Sequence, residues 1–217
     1  AALDEVAAGL PRATAIVADV TREADCRAMV AAARAAHGPL DIVIANAGAA
    51  KSAPAEKLDL AHWRRMIDVN LTGAFTTVMA ALPDLTRGDG ARPLRRIVFM
   101  ASTAGLKGYA YVAPYCAAKH GVVGLARALA IDLSSRGVTV NAVCPGFTET
   151  PMLAEAVAGI VEKTGRPPDR VRADLAKDNP DGRLVRPEEV AATVLMLCLP
   201  ASLGITGQAI TVPWSEG

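Results

Sequence analysis

Five short apolar runs, Thr14 to Ala18, Asp41 to Ala45, Ile97 to Met100, Val138 to Val143 and Ala209 to Val212, constrain what this chain can fold into more than any other feature. Each is bounded by turn residues, and most are separated by a stretch with helical periodicity. Short runs of this kind read as strands buried on both faces. Strands that alternate with helices predict a parallel sheet with helices on both faces, joined by right-handed crossovers into a doubly wound α/β fold.

The helical stretches are marked by their ends. Residues 1–10 read as a helix closed by Gly9, with Pro11 beyond it. Thr21 is the expected cap of a helix over Glu23 to Ala36, stopped by His37-Gly38-Pro39. A long helix is expected over Asp59 to Leu85, with Trp63, Met66, Ile67 and Val69 at helical spacing. The segment 86–95 reads as a surface loop. Pro114 suits the first turn of a further helix that ends near Ser135-Arg136-Gly137. Residues 147–185 are helical in pattern but broken at Gly165 to Pro168 and Asn179 to Gly182, which predicts a mobile cover over a site. A last helix is expected over Pro187 to Leu199.

Composition narrows the function. A chain of 217 residues with 52% apolar residues builds one domain with a sizeable core, and a net charge of +1 gives no bulk attraction to nucleic acid or an anionic membrane. No apolar run reaches membrane-spanning length, so the cytoplasm is the expected compartment. Cys26, Cys116, Cys144 and Cys198 are far apart without Cys-x-x-Cys pairing, and are expected to be reduced packing residues; no metal is expected.

In a sheet of this kind the loops after the strand ends form the ligand crevice. Asp19, Asn46 to Gly48, Ser102 and Pro145-Gly146 all follow strands and should line it. Tyr115 and Lys119 are four residues apart, so on a helix they share a face. An ammonium about 4 Å from a phenol, at an effective dielectric of ~20, attracts the phenolate by ~4 kcal/mol, or roughly three pKa units. The spacing therefore predicts a tyrosine able to exchange protons near neutral pH. Ser102, thirteen residues earlier and just past a strand, would deliver a hydroxyl to the same place.

Ser102, Tyr115 and Lys119 at this spacing resemble the active site of the short-chain dehydrogenases/reductases, a family with a Rossmann-like fold. The resemblance runs from the first residue almost to the last. It implies that Ser102 orients a substrate oxygen, Tyr115 is the general acid/base, Lys119 tunes it and holds the cofactor ribose, and Asn70, in Asp68-Val69-Asn70-Leu71-Thr72-Gly73, completes a proton relay. It further implies an NAD or NADP site made by Asp19 and Val20 at the adenine, Asn46, Ala47 and Gly48 beside the cofactor, Tyr115 and Lys119, and Pro145, Gly146, Thr148 and Thr150 at the nicotinamide.

The chain departs from the family at both ends. The glycine-rich phosphate loop and the strand after it have no counterpart, as if the sequence starts about 40 residues into the fold. The expectation is a portion of a longer polypeptide, because the 14–18 strand would otherwise lack neighbours for its backbone. At the other end Pro213-Trp214-Ser215-Glu216-Gly217 stands where the family usually has Asp-Gly-Gly.

The resemblance thus implies an NAD(P)-dependent oxidoreductase interconverting a ketone and a secondary alcohol. Asn179 to Leu184 and Thr206 to Ala209 resemble the 3-oxoacyl-thioester reductases and 3-hydroxyacyl-CoA dehydrogenases in particular, with a CoA- or carrier-linked substrate. The alternatives are a dehydrogenase of a small secondary alcohol, sugar or sterol, or a catalytically silent subunit. A homotetramer or homodimer is the implied assembly.

Overall fold

The computed structural model describes residues 2–87 and 94–213. Its sheet has four parallel strands, β1 (Ile42–Ala45), β2 (Arg95–Met100), β3 (Val138–Pro145) and β4 (Ala209–Val212), in the order β1-β2-β3-β4. The register pairs Val43 with Ile97, Ile97 with Val140 and Val143 with Ile210.

Side-chain alternation on the pleat explains why both faces are covered. Ile97, Phe99, Val138, Val140, Ala142 and Cys144 point to one face. There they meet Val30 of α2 (Glu23–His37), Val78 and Leu85 of α4 (Gly73–Leu85), and Val122 and Ala126 of α5 (Ala113–Leu133). Val98, Val143 and Val212 point to the other, against Val194 and Leu197 of α8 (Pro187–Cys198). The remaining helices are α1 (Ala2–Ala8), α3 (Leu60–Ile67), α6 (Pro151–Thr164) and α7 (Pro168–Lys177). The last two enclose their own apolar cluster of Leu153, Val157 and Val171.

Three expectations need correction. Thr14 to Ala18 is not a strand: Val17 is 91% exposed, and no strand among the described residues lies beside it or beside the outer edge of β1, where Ile42 and Ile44 stay partly open. An apolar run becomes a strand only when a neighbour takes its N–H and C=O groups. Thr21 does not cap α2, whose N-cap is Arg22; Asp19 instead takes both the N–H and the hydroxyl of Thr21, at 2.9 and 2.7 Å.

The helix expected over 59–85 begins as foreseen, with the Asp59 carboxylate accepting from the His62 N–H at 2.7 Å. It is interrupted, however, by one π-helical segment, Asp68–Thr72, in which the Gly73 N–H reaches the Asp68 carbonyl five residues back. The loop expected over 86–95 falls mostly on 88–93, outside the described residues, as do Trp214 to Gly217. All four cysteines are free thiols, and among the described residues no helix is long and apolar enough to cross a membrane.

Candidate active site

Four segments meet where the strands end. Ser102 leaves β2 with extended backbone, and its hydroxyl caps the short 3-10 turn Thr103–Gly105 by accepting from the Ala104 N–H at 3.1 Å. It also donates to the Pro145 carbonyl at 3.4 Å, which joins the end of β2 to the end of β3. That turn packs against α5 at Lys119, and Gly105 makes the approach possible: a Cβ there would lie 2.6 Å from the Lys119 carbonyl oxygen.

On α5, Tyr115 and Lys119 share a face as the four-residue spacing demands. The Lys119 ammonium lies 5.6 Å from the centre of the Tyr115 ring and donates to the Met100 carbonyl at 2.7 Å. Lys119 is only 4% exposed. Here the electrostatic expectation fails in its direction. Burial pushes the Tyr115 phenol up from its ordinary value, with the hydrogen bond from Ser102 pulling it part of the way back. Burial also pushes Lys119 down, to about 8. The ammonium faces the ring and a backbone carbonyl, so in this environment desolvation of both charged forms outweighs their mutual attraction. Tyr115 keeps its proton at neutral pH, while Lys119 is mostly charged.

The depressed lysine has a consequence for stability. An amine whose folded pKa lies below its unfolded value destabilises the fold while charged in both states, and that cost is relieved between about 8 and the ordinary 10.5. Relative to Lys119→Met, the wild type is expected to gain about 3 kcal/mol as pH rises through this window, at 1.36 kcal/mol per unit of pKa shift. Urea unfolding at pH 7.5 and pH 10 on both proteins measures the difference. Parallel pH curves would refute the buried ammonium.

Asn70 sits in the π segment, buried, and works as a clamp. Its Nδ2 donates to the carbonyls of Ala49 at 2.8 Å and Met66 at 3.0 Å, and its Oδ1 accepts from the Ala49 N–H at 3.2 Å. The π segment and the loop after β1 are thereby held together. A Cβ on Gly48 would stand 3.0 Å from the Asn70 Oδ1 and 3.7 Å from the Lys119 Nζ. The cradle between these groups stays open only because that position is glycine.

Beyond β3, the Gly146 N–H bonds to the Val212 carbonyl at 2.7 Å, the Thr148 hydroxyl to the Gly146 carbonyl at 2.9 Å, and the Thr150 hydroxyl to the Thr148 carbonyl at 3.3 Å. Thr150 also caps α6 by accepting from the Leu153 N–H. Val20 lines a cleft of about 190 Å³ with Ile44, Asn46 and Ala47, and its carbonyl accepts from the Thr76 hydroxyl at 3.0 Å. Asp19 is exposed at the rim, its carboxylate held below the usual range by the Thr21 hydroxyl and N–H. Of the residues singled out in the sequence, Gly48, Asn70 and Lys119 lie together, Lys119 faces the Tyr115 ring, Ser102 is tied to Pro145 at the start of the loop that carries Thr148 and Thr150, and Asn46, Ala47 and Val20 line one cleft. Asp19 has no bond to the central group.

Sequence reasoning missed Asn179. It is buried, its Oδ1 accepts the Phe147 N–H at 2.8 Å, and its Nδ2 donates to the carbonyls of Phe147 and Arg183 at 2.9 and 2.7 Å. It fixes the loop after β3 against the segment that follows α7. The sequence signals there were the helix break Asn179-Pro180-Asp181-Gly182 and the family resemblance of Asn179 to Leu184, neither of which gives Asn179 a positioning role. Among the described residues no group of acids, histidines and cysteines is arranged to hold a metal ion.

A model of the enoyl-(acyl carrier protein) reductase branch of the short-chain dehydrogenases matches residues 1–213. A ketoacyl reductase of Streptomyces coelicolor is 41% identical over 201 residues, covering 89% of this chain and 74% of its own. D-beta-hydroxybutyrate dehydrogenase of Cupriavidus necator is 35% identical over 191 residues, covering 88% of this chain and 72% of its own. A crystal structure of an actinorhodin polyketide ketoreductase variant with NADPH superposes with a TM-score of 0.82 at 37% identity, covering 90% of this chain and 74% of that one. The chain belongs to the short-chain dehydrogenase/reductase family. It is an NAD(P)-dependent oxidoreductase that interconverts a ketone and a secondary alcohol.

Proposed function

We propose that Ser102, Tyr115, Lys119 and Asn70 carry the proton chemistry of this reaction and that the substrate is a 3-oxoacyl or 3-hydroxyacyl thioester. The observation that carries the first part is the convergence on one crevice of a serine hydroxyl, a protonated tyrosine and a buried ammonium, each on a rigid element.

The residues fit a nicotinamide dinucleotide, since Gly48 leaves open the space that a Cβ would fill between Asn70 and Lys119. Asn46, Ala47, Gly48, Lys119 and the stretch Pro145 to Thr150 would hold it, with Val20 and Asp19 at the far end. When bound, the cofactor supplies or accepts the hydride.

In the reducing direction Tyr115, whose pKa is raised, enters with its proton in place and donates it to the oxygen of the reacting carbonyl. Ser102, whose hydroxyl is anchored at Pro145, orients that oxygen. The Lys119 ammonium limits the rise of negative charge on the phenol oxygen once the proton has left. Asn70 holds the loop after β1 and the π segment in register, so its part is to keep Gly48 and Lys119 in place while a proton is returned. Segment 147–185 forms the substrate cover, supported by the separate apolar cluster of α6 and α7. A second copy of the chain would cover Phe75 of α4 and Ile131 of α5, which are left exposed.

The thioester reading rests on the relatives, two of which carry polyketide synthase ketoacyl reductase in their names. Initial rates with acetoacetyl-CoA, a small cyclic ketone and a keto sugar, each with NADH and NADPH, test it. The thioester is expected to give the highest kcat/KM. A cyclic ketone preferred by tenfold or more would move the substrate to the small alcohols.

A further inference from the structure

A second and larger cleft, of about 520 Å³, opens beside the catalytic group, and its wall is built from three separate elements. Gly48 and Lys51 come from the loop after β1, Arg65 and Met66 from α3, and Met152 and Glu155 from α6. This volume lies within the range of small-molecule sites. One end is fixed at the chemistry: Gly48 stands against Asn70 and Lys119, and the Met66 carbonyl accepts from the Asn70 side chain. The far end lies between α3 and the start of the cover.

Several cations of the cover are already paired. Arg166 pairs with Asp174, Arg172 with Glu149, and Arg183 with Asp181 and Glu189. Those cations are already neutralised within the protein. Lys51 and Arg65 have no ion pair and no side-chain hydrogen bond among the described residues. Lys51 is positioned nonetheless, because its backbone carbonyl accepts from the His62 ring Nε2 at 3.1 Å, one turn before Arg65 on α3. Glu155 is the single acid on the wall, so two cations against one anion leave the cleft positive.

We propose that Lys51 and Arg65 bind an anionic group of the substrate, a carboxylate or a phosphate, placed away from the reacting carbonyl. This deepens the functional reading above and rests on it for the position of the carbonyl. The guanidinium offers paired N–H donors to a planar or tetrahedral oxyanion, and the ammonium adds a point charge from the opposite element. An anion held there would fix the substrate at both ends, one end at Ser102 and Tyr115 and the other between the loop after β1 and α3.

The test compares acetoacetate, acetoacetyl-CoA and neutral ethyl acetoacetate in the wild type, Lys51→Ala, Arg65→Ala and the double variant. The ratio of kcat/KM for the anionic substrates to that for the neutral ester is expected to fall about tenfold for each substitution. Lys51→Arg and Arg65→Lys should recover most of it, and Lys163→Ala at the far end of α6 should leave the ratio unchanged. A fall confined to acetoacetate identifies a carboxylate, and one confined to acetoacetyl-CoA a phosphate. Calorimetric titration of the same two anions into the wild type and the double variant gives a readout that needs no turnover. An unchanged ratio together with unchanged anion affinity overturns the proposal, as does a change confined to the KM of the cofactor. Absence of turnover with the neutral ester, by contrast, counts against the catalytic reading and leaves the titration to decide the anion site.

Discussion

Replacing Tyr115 by Phe is expected to lower kcat by about 10³, within the range that a positioned general acid supplies. The change removes one oxygen and keeps the ring, so the face over which the Lys119 ammonium lies at 5.6 Å is preserved. Core packing around Cys116 and Ala118 is likewise untouched. KM for the cofactor should stay within about twofold, and kcat and kcat/KM for the ketone should fall together, because the lost interaction matters most when the proton moves. The melting temperature should change little, since the ring and its packing are kept. Steady-state rates and a thermal melt on the two proteins check this. A variant within tenfold of the wild-type kcat would remove Tyr115 from the chemistry.

The second large effect is structural and comes from a glycine. In Gly105→Ala the new Cβ would lie 2.6 Å from the carbonyl oxygen and 2.9 Å from the carbonyl carbon of Lys119, and 3.1 Å from the Val123 Cγ2. The first two are helix backbone, which cannot rotate away as a side chain can, so the turn after Ser102 and α5 must separate. Overpacking of this kind costs about 1–3 kcal/mol, and in a domain of this size each kcal/mol lowers the melting temperature by roughly 2–4 °C. Activity should fall more than stability. The shift moves Ser102 relative to Tyr115 and loosens the 2.7 Å bond from Lys119 to the Met100 carbonyl, and misplacement by about 1 Å can cost 10² in rate. Gly124, on the same helix, is the control: a Cβ there meets nothing within 4 Å, so Gly124→Ala should stabilise by about 0.5–1 kcal/mol and leave kcat alone. Equal effects of the two substitutions would contradict the packing of that turn on α5.

The two substitutions also mark what a sequence displays and what it hides. Periodicity placed β2, β3, β4 and their helices within a residue or two, because buried strands and amphipathic helices must repeat their apolar residues at fixed intervals. The run at 14–18 has the same letters without a neighbouring strand, and pairing is a property of two segments, which one segment's composition cannot carry. Spacing brought Tyr115 and Lys119 together. It could not show that Lys119 would be buried with its ammonium turned to a ring and a carbonyl, and so the sign of the tyrosine shift was read backwards.

Asn70 was found through its neighbours in sequence, but its clamp on Ala49 depends on a π segment whose residues Asp68 to Thr72 look like ordinary helix. Asn179 and Gly105 act through contacts 32 and 14 residues away in the chain, Phe147 at 2.8 Å and the Lys119 backbone, which no local pattern announces.

The central claim is that this crevice passes a hydride to a carbonyl carbon while Tyr115 supplies the proton. The most direct measurement follows the label: NADPH or NADH deuterated at the transferring position of the nicotinamide, incubated with acetoacetyl-CoA or ethyl acetoacetate, and the product alcohol analysed by mass spectrometry. The wild type should place one deuterium on the carbinol carbon with at least one of the two cofactors, and Tyr115→Phe should place almost none in the same time. No deuterium in any wild-type product, or equal incorporation by the two proteins, would contradict the account.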